Sequence, residues 1–167
     1  MRDTVVVIIS AKNCSACKSF RASWPTFKDD IERQLQVKVV DVHLEMMNSP
    51  IDTSQYPTGL SVYKRWFPMF LLVRGKVWES AMLNKGFDIP LNATIMGGSM
   101  VNGIPTMGQG FPLKNDLVLK LLDEKIKELE SSSVETSVVV NPIISLPTSG
   151  RVSEMGRCET TTYKRIT

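Results

Sequence analysis

Two cysteines, Cys14 and Cys17, stand between an apolar run and a stretch with helical spacing. The run, residues 5–9, contains only Val and Ile and predicts a buried strand that ends shortly before the first cysteine. A thiol at the first turn of the following helix meets unpaired backbone N–H groups and the positive end of the helix dipole, which favour the thiolate. Lys12 and Lys18 flank the pair, and we expect their positive charge to tune the acidity of the thiol in the same direction. The order of strand, Cys-x-x-Cys and helix therefore predicts a redox site.

The segment after the cysteines predicts a βαβ unit. Apolar residues recur every three or four positions over residues 18–36, which indicates an amphipathic helix, and Pro25 inside it predicts a kink after Trp24. Residues 37–44 follow directly and predict a second strand. A strand, a helix and a strand in about forty residues favour two parallel neighbouring strands.

Later elements are predicted from shorter patterns. Two apolar runs, 67–73 and 77–79, are joined by a short link containing Gly75 and predict a β-hairpin with Pro68 at the start of its first strand. A stripe of Val118, Leu122, Ile126 and Leu129 predicts a helix over residues 115–130 that packs on the sheet.

Composition changes twice along the chain, and both changes bear on domain organisation. Residues 81–113 are rich in Met, Gly and Pro and poor in charge, and we interpret them as a long loop inserted into the domain. Beyond residue 130 the chain becomes rich in Ser, Thr and Val. We therefore predict one domain, 1–130, with an insertion at 81–113, and a flexible Ser/Thr-rich tail at 131–167.

The order of βαβ, hairpin and helix, with Cys-x-x-Cys after the first strand and a Pro opening the hairpin, resembles the thioredoxin fold family. Two segments carry the resemblance: C-S-A-C at 14–17 and F-P-M-F-L-L-V-R-G-K-V-W at 67–78. The match covers residues 4–80 and 114–130. It implies an α/β fold with a central mixed β-sheet flanked by helices.

The resemblance also implies a role for each matched residue. Cys14 would be the exposed nucleophile and Cys17 the resolving thiol, and Pro68 would be the family's cis-proline. The preceding Phe67 would face the dithiol and offer backbone hydrogen bonds to a substrate peptide. Thiol–disulfide exchange with protein thiols or disulfides needs no cofactor and no metal.

The sequence departs from the family's pattern at two positions near the dithiol. Asn13 stands where the family has an aromatic residue, and Ile8 stands where thioredoxins place a buried acid that accepts the proton of the resolving thiol. Two function classes therefore stay open. One is a thiol–disulfide oxidoreductase acting on protein cysteines through Cys14 and Cys17. The other is a redox-silent interaction module that binds a protein partner through the insertion and the tail.

Two metal alternatives compete with the redox interpretation. Cys14, Cys17, His43 and Cys158 would supply a three-Cys, one-His set for zinc if the tail brought Cys158 to the dithiol. Thioether sulfurs suit copper(I), and the insertion contributes four of them, Met82, Met96, Met100 and Met107. We favour neither, because the second Cys-x-x-Cys of a zinc site is missing and Met clusters more often form adaptable apolar surfaces.

Charge and composition narrow the classes of partner. Twenty basic and seventeen acidic residues give a net charge of +3 with no block of like charges, so we expect no nucleic-acid partner. No apolar stretch approaches the roughly 18 residues of a membrane span, and no secretory signal is visible. Three cysteines also argue against a structural disulfide framework. We expect a cytoplasmic protein without a membrane partner and leave packaging into a virion as an open alternative.

Overall fold

A four-stranded mixed sheet forms the centre of residues 1–132, the part of the protein that the computed structural model describes. Its strands are β1 (Thr4–Ala11), β2 (Lys38–Leu44), β3 (Met69–Arg74) and β4 (Thr94–Ile95), in the order β2-β1-β3-β4. The β1 and β2 strands are parallel, as the predicted βαβ unit requires, and β3 is antiparallel to both β1 and β4. The β1 side chains are buried along the whole strand because both faces of the sheet are covered.

Helices cover both faces of the sheet. On one face lie α1 (Ser15–Ser23), α2 (Phe27–Leu35) and α4 (Asn115–Ser131), whose apolar side chains pack with those of Val6, Ile8 and Phe70. The other face is covered by a 3₁₀-helix, Thr58–Tyr63, and by α3 (Gly75–Leu83), which pack with Val7 and Ile9. The expected α/β class, a central mixed sheet flanked by helices, is confirmed, and the arrangement is consistent with a thioredoxin-like fold.

The helix predicted over residues 18–36 is two helices. Residues 24–26 interrupt it, and the second helix starts at Phe27. Pro25 lacks the backbone donor that a continuous helix needs. The break is stabilised by the Asp30 carboxylate, which accepts hydrogen bonds from the Trp24 indole at 2.8 Å and the Thr26 hydroxyl at 2.6 Å.

The predicted hairpin between residues 67–73 and 77–79 is wrong in its second half. Residues 77–79 lie in α3. Besides β1, the antiparallel neighbour of β3 is β4, in the segment interpreted as an insertion. The helix forms because Trp78 and Ala81, three positions apart, are buried on the same face. Gly75 is the first residue of this helix and lies next to the Asp3 carboxylate. A Cβ at position 75 would lie 2.4 Å from Asp3 Oδ1.

The segment 81–113 also contains regular structure beyond β4. A second, two-stranded sheet pairs β5 (Gly98–Val101) with β6 (Ile104–Met107), joined by a turn at Asn102 and Gly103. Both turn residues have positive φ, 51° and 75°, which is the backbone conformation of a type I′ hairpin turn. The long loop is therefore partly a hairpin. Four apolar side chains on it are 40 to 55% exposed: Met100, Val101, Ile104 and Met107.

The described residues belong to one compact unit, Met1–Glu135. The predicted helix 115–130 is confirmed, with Val118, Leu122 and Ile126 buried. Apart from residues 131 and 132, the predicted tail lies outside the described residues, and so does Cys158. No helix within residues 1–132 is both long and apolar enough to cross a membrane.

Candidate redox site

The two cysteines lie at the junction between β1 and α1 and form a disulfide, with their Cα atoms 5.2 Å apart. Cys14 is the N-cap residue of α1, and its Sγ accepts a hydrogen bond from the Cys17 backbone N–H at 3.1 Å. The first turn of the helix contains no acidic residue. In the reduced protein the first sulfur therefore has a backbone donor and a helix N-terminus to stabilise a negative charge.

Burial distinguishes the two sulfurs less than the resemblance implied. Cys14, expected to be exposed, is only 5% exposed, and Cys17 is fully buried at 0%. The correction has a packing cause, because both residues belong to the apolar cluster that includes Ile9 and Met69. Only Cys14 retains any surface, so an incoming sulfur can reach it first.

The flanking lysines have different surroundings. Lys12 forms an exposed ion pair with Glu45, with Nζ and Oε1 2.5 Å apart. The carboxylate balances part of its charge, which weakens the effect that Lys12 can have on the dithiol. Lys18 follows Cys17 on the exposed side of α1 and has no ion pair within residues 1–132. Of the two, Lys18 is the less compensated charge beside the dithiol.

Phe67 and Pro68 lie at the same edge of the sheet as the dithiol. Ile9, near the end of β1, pairs with Met69, the first residue of β3, so the residues just before β3 and just after β1 are neighbours. The Phe67–Pro68 peptide bond is cis. Pro68 is buried, and the half-buried Phe67 packs against the cluster that contains both cysteines.

The Asn13 side chain forms a hydrogen bond with the loop that follows β2. Its side-chain Oδ1 accepts a hydrogen bond from the Met47 backbone N–H at 2.8 Å. The loop follows β2 and turns at Ser49, whose hydroxyl accepts a hydrogen bond from the Met46 N–H at 3.1 Å. Met46 and Met47 are 48% and 41% exposed. Asn13, the residue before Cys14, is thus bonded to a loop that exposes two methionines.

The structure does not assemble either metal alternative. Within residues 1–132, no three His, Cys, Asp or Glu side chains are grouped as metal ligands require, and Cys158 lies outside that range. The four methionines of the copper alternative are separated. Met82 packs on one face of the sheet, Met96 is buried on the other, and Met100 and Met107 are exposed on the β5–β6 hairpin.

Ile8 occupies a different apolar cluster from the cysteines. It is 0% exposed and packs with Phe20 and Phe70, whereas Cys17 belongs to the cluster on the other face of the sheet. The Ile8 side chain therefore offers no proton acceptor to Cys17.

A polar network that links β1, β2 and α1 was not predicted from the sequence. The buried hydroxyl of Ser10 contacts His43 Nδ1 at 2.8 Å and accepts a hydrogen bond from Arg21 at 2.7 Å, and Arg21 also binds Asp41 at 2.6 Å. The signal available in the sequence was Ser10 itself, a polar residue at the end of an otherwise apolar strand. Its partners come from α1 and β2 and could be identified only from the tertiary structure.

Comparison with known proteins adds little to this geometry. No protein-family model and no curated protein matches the chain. Seven chains among the solved structures match. One of them is human ERp44 in its zinc-bound form, with 15% sequence identity and a TM-score of 0.35, and the match covers 76% of this chain and 27% of that one. The chain thus spans about a quarter of the length of that protein. At this identity and TM-score, the similarity says nothing about the chemistry of the site.

Proposed function

We propose that the protein is a thiol–disulfide oxidoreductase that acts on protein cysteines through Cys14 and Cys17. The observation that carries the proposal is the position of Cys14: its sulfur caps α1, accepts the Cys17 N–H and lies within bonding range of the second sulfur. A cysteine pair that only stabilised the fold would not need a sulfur at a helix N-terminus.

The reaction in the reducing direction has two exchange steps. The Cys14 thiolate attacks one sulfur of a substrate disulfide, a mixed disulfide forms, and the other substrate sulfur leaves as a thiolate that takes a proton from water. Cys17 then attacks the Cys14 sulfur as a thiolate, and the proton that it loses is taken up by the substrate sulfur that leaves. The internal disulfide forms, the mixed disulfide breaks, and the substrate leaves with both sulfurs reduced. Two electrons pass from the dithiol to the substrate, and the reverse sequence oxidises a substrate dithiol.

The surroundings of the dithiol support a role for each cysteine and for the neighbouring residues Phe67 and Pro68. The greater exposure of Cys14 makes it the attacking sulfur, while the full burial of Cys17 restricts it to the intramolecular step. Phe67 and Pro68 lie at the sheet edge beside the dithiol and form the substrate-binding segment. No cofactor takes part. In the reducing direction thiol reductants regenerate the dithiol, and for that direction we expect the protein to act in the cytoplasm.

A trapping experiment tests these roles. Both single variants, Cys17→Ser and Cys14→Ser, are made in a Cys158→Ser background so that the third thiol cannot react, and each is mixed with a disulfide-containing protein such as insulin. Cys17→Ser should accumulate a mixed disulfide that dithiothreitol reverses, because the resolving thiol is absent. Cys14→Ser should form little, since Cys17 is fully buried. Equal trapping by both variants, or by neither, contradicts the proposal.

The exposed hairpin favours the second function class as an alternative. Its four exposed apolar side chains, Met100, Val101, Ile104 and Met107, form a surface that a redox-silent binding module would use. The two functions differ in their dependence on sulfur. Partner binding by a redox-silent module would persist in a Cys14→Ser/Cys17→Ser variant and would be lost when the hairpin side chains are replaced by Ser.

A further inference from the structure

The network around Ser10 connects the helix that carries the dithiol to two strands of the sheet. Ser10 is 1% exposed near the end of β1, and its Oγ accepts a hydrogen bond from Arg21 Nη2 at 2.7 Å. Arg21 belongs to α1, the helix that Cys14 caps, and it also donates to Asp41 Oδ1 of β2 at 2.6 Å. The orientation of α1 relative to β1 and β2 therefore depends in part on these two contacts.

Hydrogen-bond accounting fixes the state of His43 in this network. The Arg21 guanidinium can only donate, and the hydroxyl proton of the buried Ser10 needs an acceptor, which His43 Nδ1 supplies at 2.8 Å. His43 is then neutral, with its proton on Nε2, an assignment that follows from the network. A second proton would occupy Nδ1 and leave Ser10 facing two donors. The Ser10 proton would lose its acceptor at a position that water scarcely reaches.

The groups around His43 shift its pKa in both directions. Partial desolvation of the ring lowers the pKa of His43 below 6.5, and the positive charges of Arg21 on α1 and Lys12 after β1 lower it further. The carboxylates of Asp41 on β2 and Glu45 after β2 oppose this shift. Overall the pKa of His43 is lowered. This agrees with a network whose hydrogen bonds are all made only when the ring is neutral.

We propose that Ser10 and His43 are positioning residues for the dithiol: while His43 is neutral they hold Arg21, and with it α1, so that the Cys17 N–H points at Cys14 Sγ. Protonation of His43 breaks the chain of hydrogen bonds, loosens α1 and weakens this donor. The inference rests on the proposed function, because it makes the reactivity of the dithiol depend on the protonation state of His43, a side chain that does not itself react.

The sign of the effect separates this mechanism from direct electrostatics. A positive charge on His43 acting through space would stabilise a nearby thiolate and make Cys14 more reactive. Loss of the helix N–H donor removes a stabilising contact and makes Cys14 less reactive. The proposal therefore predicts that Cys14 reactivity falls more steeply below pH 6.5 than the titration of the thiol alone requires.

The test measures the alkylation rate of Cys14 by iodoacetamide in the reduced Cys158→Ser protein between pH 5 and pH 8. Beyond the thiol's own titration, we expect a further fall of about fivefold as His43 protonates, the factor that corresponds to one net hydrogen bond. His43→Asn keeps an acceptor at this position without a charge, and its profile should show only the thiol titration. Ser10→Ala keeps the titrating ring but removes the link to Arg21, and the additional fall should disappear.

Four outcomes overturn the inference: no additional fall in the parent protein, a rise in reactivity as His43 protonates, an additional fall that persists in Ser10→Ala, or one that persists in His43→Asn. If Ser10→Ala does not fold, His43→Asn still decides, because its profile matches or differs from that of the parent protein. Alkylation needs no protein substrate. A protein that shows the expected profile but traps no substrate would refute the proposed function and leave the positioning role intact.

Discussion

Reduction of the Cys14–Cys17 disulfide should lower the stability of the fold only modestly. The disulfide joins residues three positions apart, and closing so short a loop contributes about 2 kcal/mol in the chain-entropy treatment. Stabilisation of the Cys14 thiolate by the helix N-terminus offsets about 0.3–1 kcal/mol of this. We therefore expect the free energy of unfolding to fall by about 1–2 kcal/mol on reduction, and Tm to fall by about 3–8 °C.

The fold offers a reason for this small effect. Helix α1 is held to α2 and to the sheet by contacts that do not involve sulfur. The Phe20 ring packs against Phe27 of α2 and Phe70 of β3, with centroids 5.1 and 5.5 Å away, and Arg21 binds Ser10 of β1. These contacts stay in place when the sulfurs separate. A dithiol that cycles between two states requires a fold that tolerates both.

Urea unfolding followed by tryptophan fluorescence measures the difference. The midpoints of the oxidised and dithiothreitol-reduced forms of the Cys158→Ser protein are compared. Their difference reports stability when the two m-values are equal. The Cys14→Ser/Cys17→Ser variant is the control, and dithiothreitol should not change its midpoint. A reduced form that is unfolded at 25 °C would show that the disulfide is a structural cross-link. A reduced form more stable than the oxidised one would refute the loop-closure reasoning.

Further predictions concern the core, a glycine in β5 and an ion pair. Phe20→Ala should cost about 3–5 kcal/mol of unfolding free energy, because the ring is 2% exposed, whereas Leu117→Ala, 42% exposed on α4, should stay within about 0.5 kcal/mol. Gly98→Ala should lower Tm, because a Cβ there would lie 2.4 Å from a backbone oxygen, while Gly86→Ala, with nothing within 4 Å, should not. Hydrogen bonds from Lys127 and Arg2 lower the pKa of Asp123 below 3.8, so its stabilisation is present above that pH and lost as the pH falls below it. In acid titrations monitored by circular dichroism, Asp123→Asn should therefore be less stable than the parent at neutral pH and lose less stability below pH 4.

The sequence predicted the elements whose patterns are long and local. The apolar run of β1, the spacing of the helical residues after Cys17 and the stripe on α4 each span two or more turns or a whole strand, and burial of those residues is what forms the elements. The thioredoxin-like order and the position of the dithiol followed from these elements.

The prediction failed where the signal was short or where a local pattern was misinterpreted. The partner of β3, Thr94–Ile95, is two residues long and carries no pattern that a sequence could reveal. The run at 77–79 looked like a strand, but Trp78 and Ala81 have helical spacing, which becomes visible only when the window extends past residue 80. The sequence does contain a signal for the β5–β6 hairpin, Asn102-Gly103 between apolar residues.

In the candidate site, too, the sequence predicted what depends on a local pattern and missed what depends on packing between elements. The positions of both cysteines at a helix start could be predicted because strand, motif and helix are contiguous in the chain. The burial of Cys14 and the network of Ser10, Arg21 and His43 could not, because they depend on how α1, β1 and β2 pack together. Contacts between elements far apart in the chain leave no local pattern.

The central claim, that Cys14 and Cys17 form a working dithiol, is tested most directly by catalytic turnover. The reduction of insulin by dithiothreitol is followed with a small molar fraction of the protein in the Cys158→Ser background, and the rate is compared with that of Cys14→Ser and Cys17→Ser in the same background. We predict that the protein with both cysteines accelerates the reaction over many turnovers and that neither variant does. A rate equal to that of Cys14→Ser would contradict the account, since the dithiol would then form a disulfide without exchanging it.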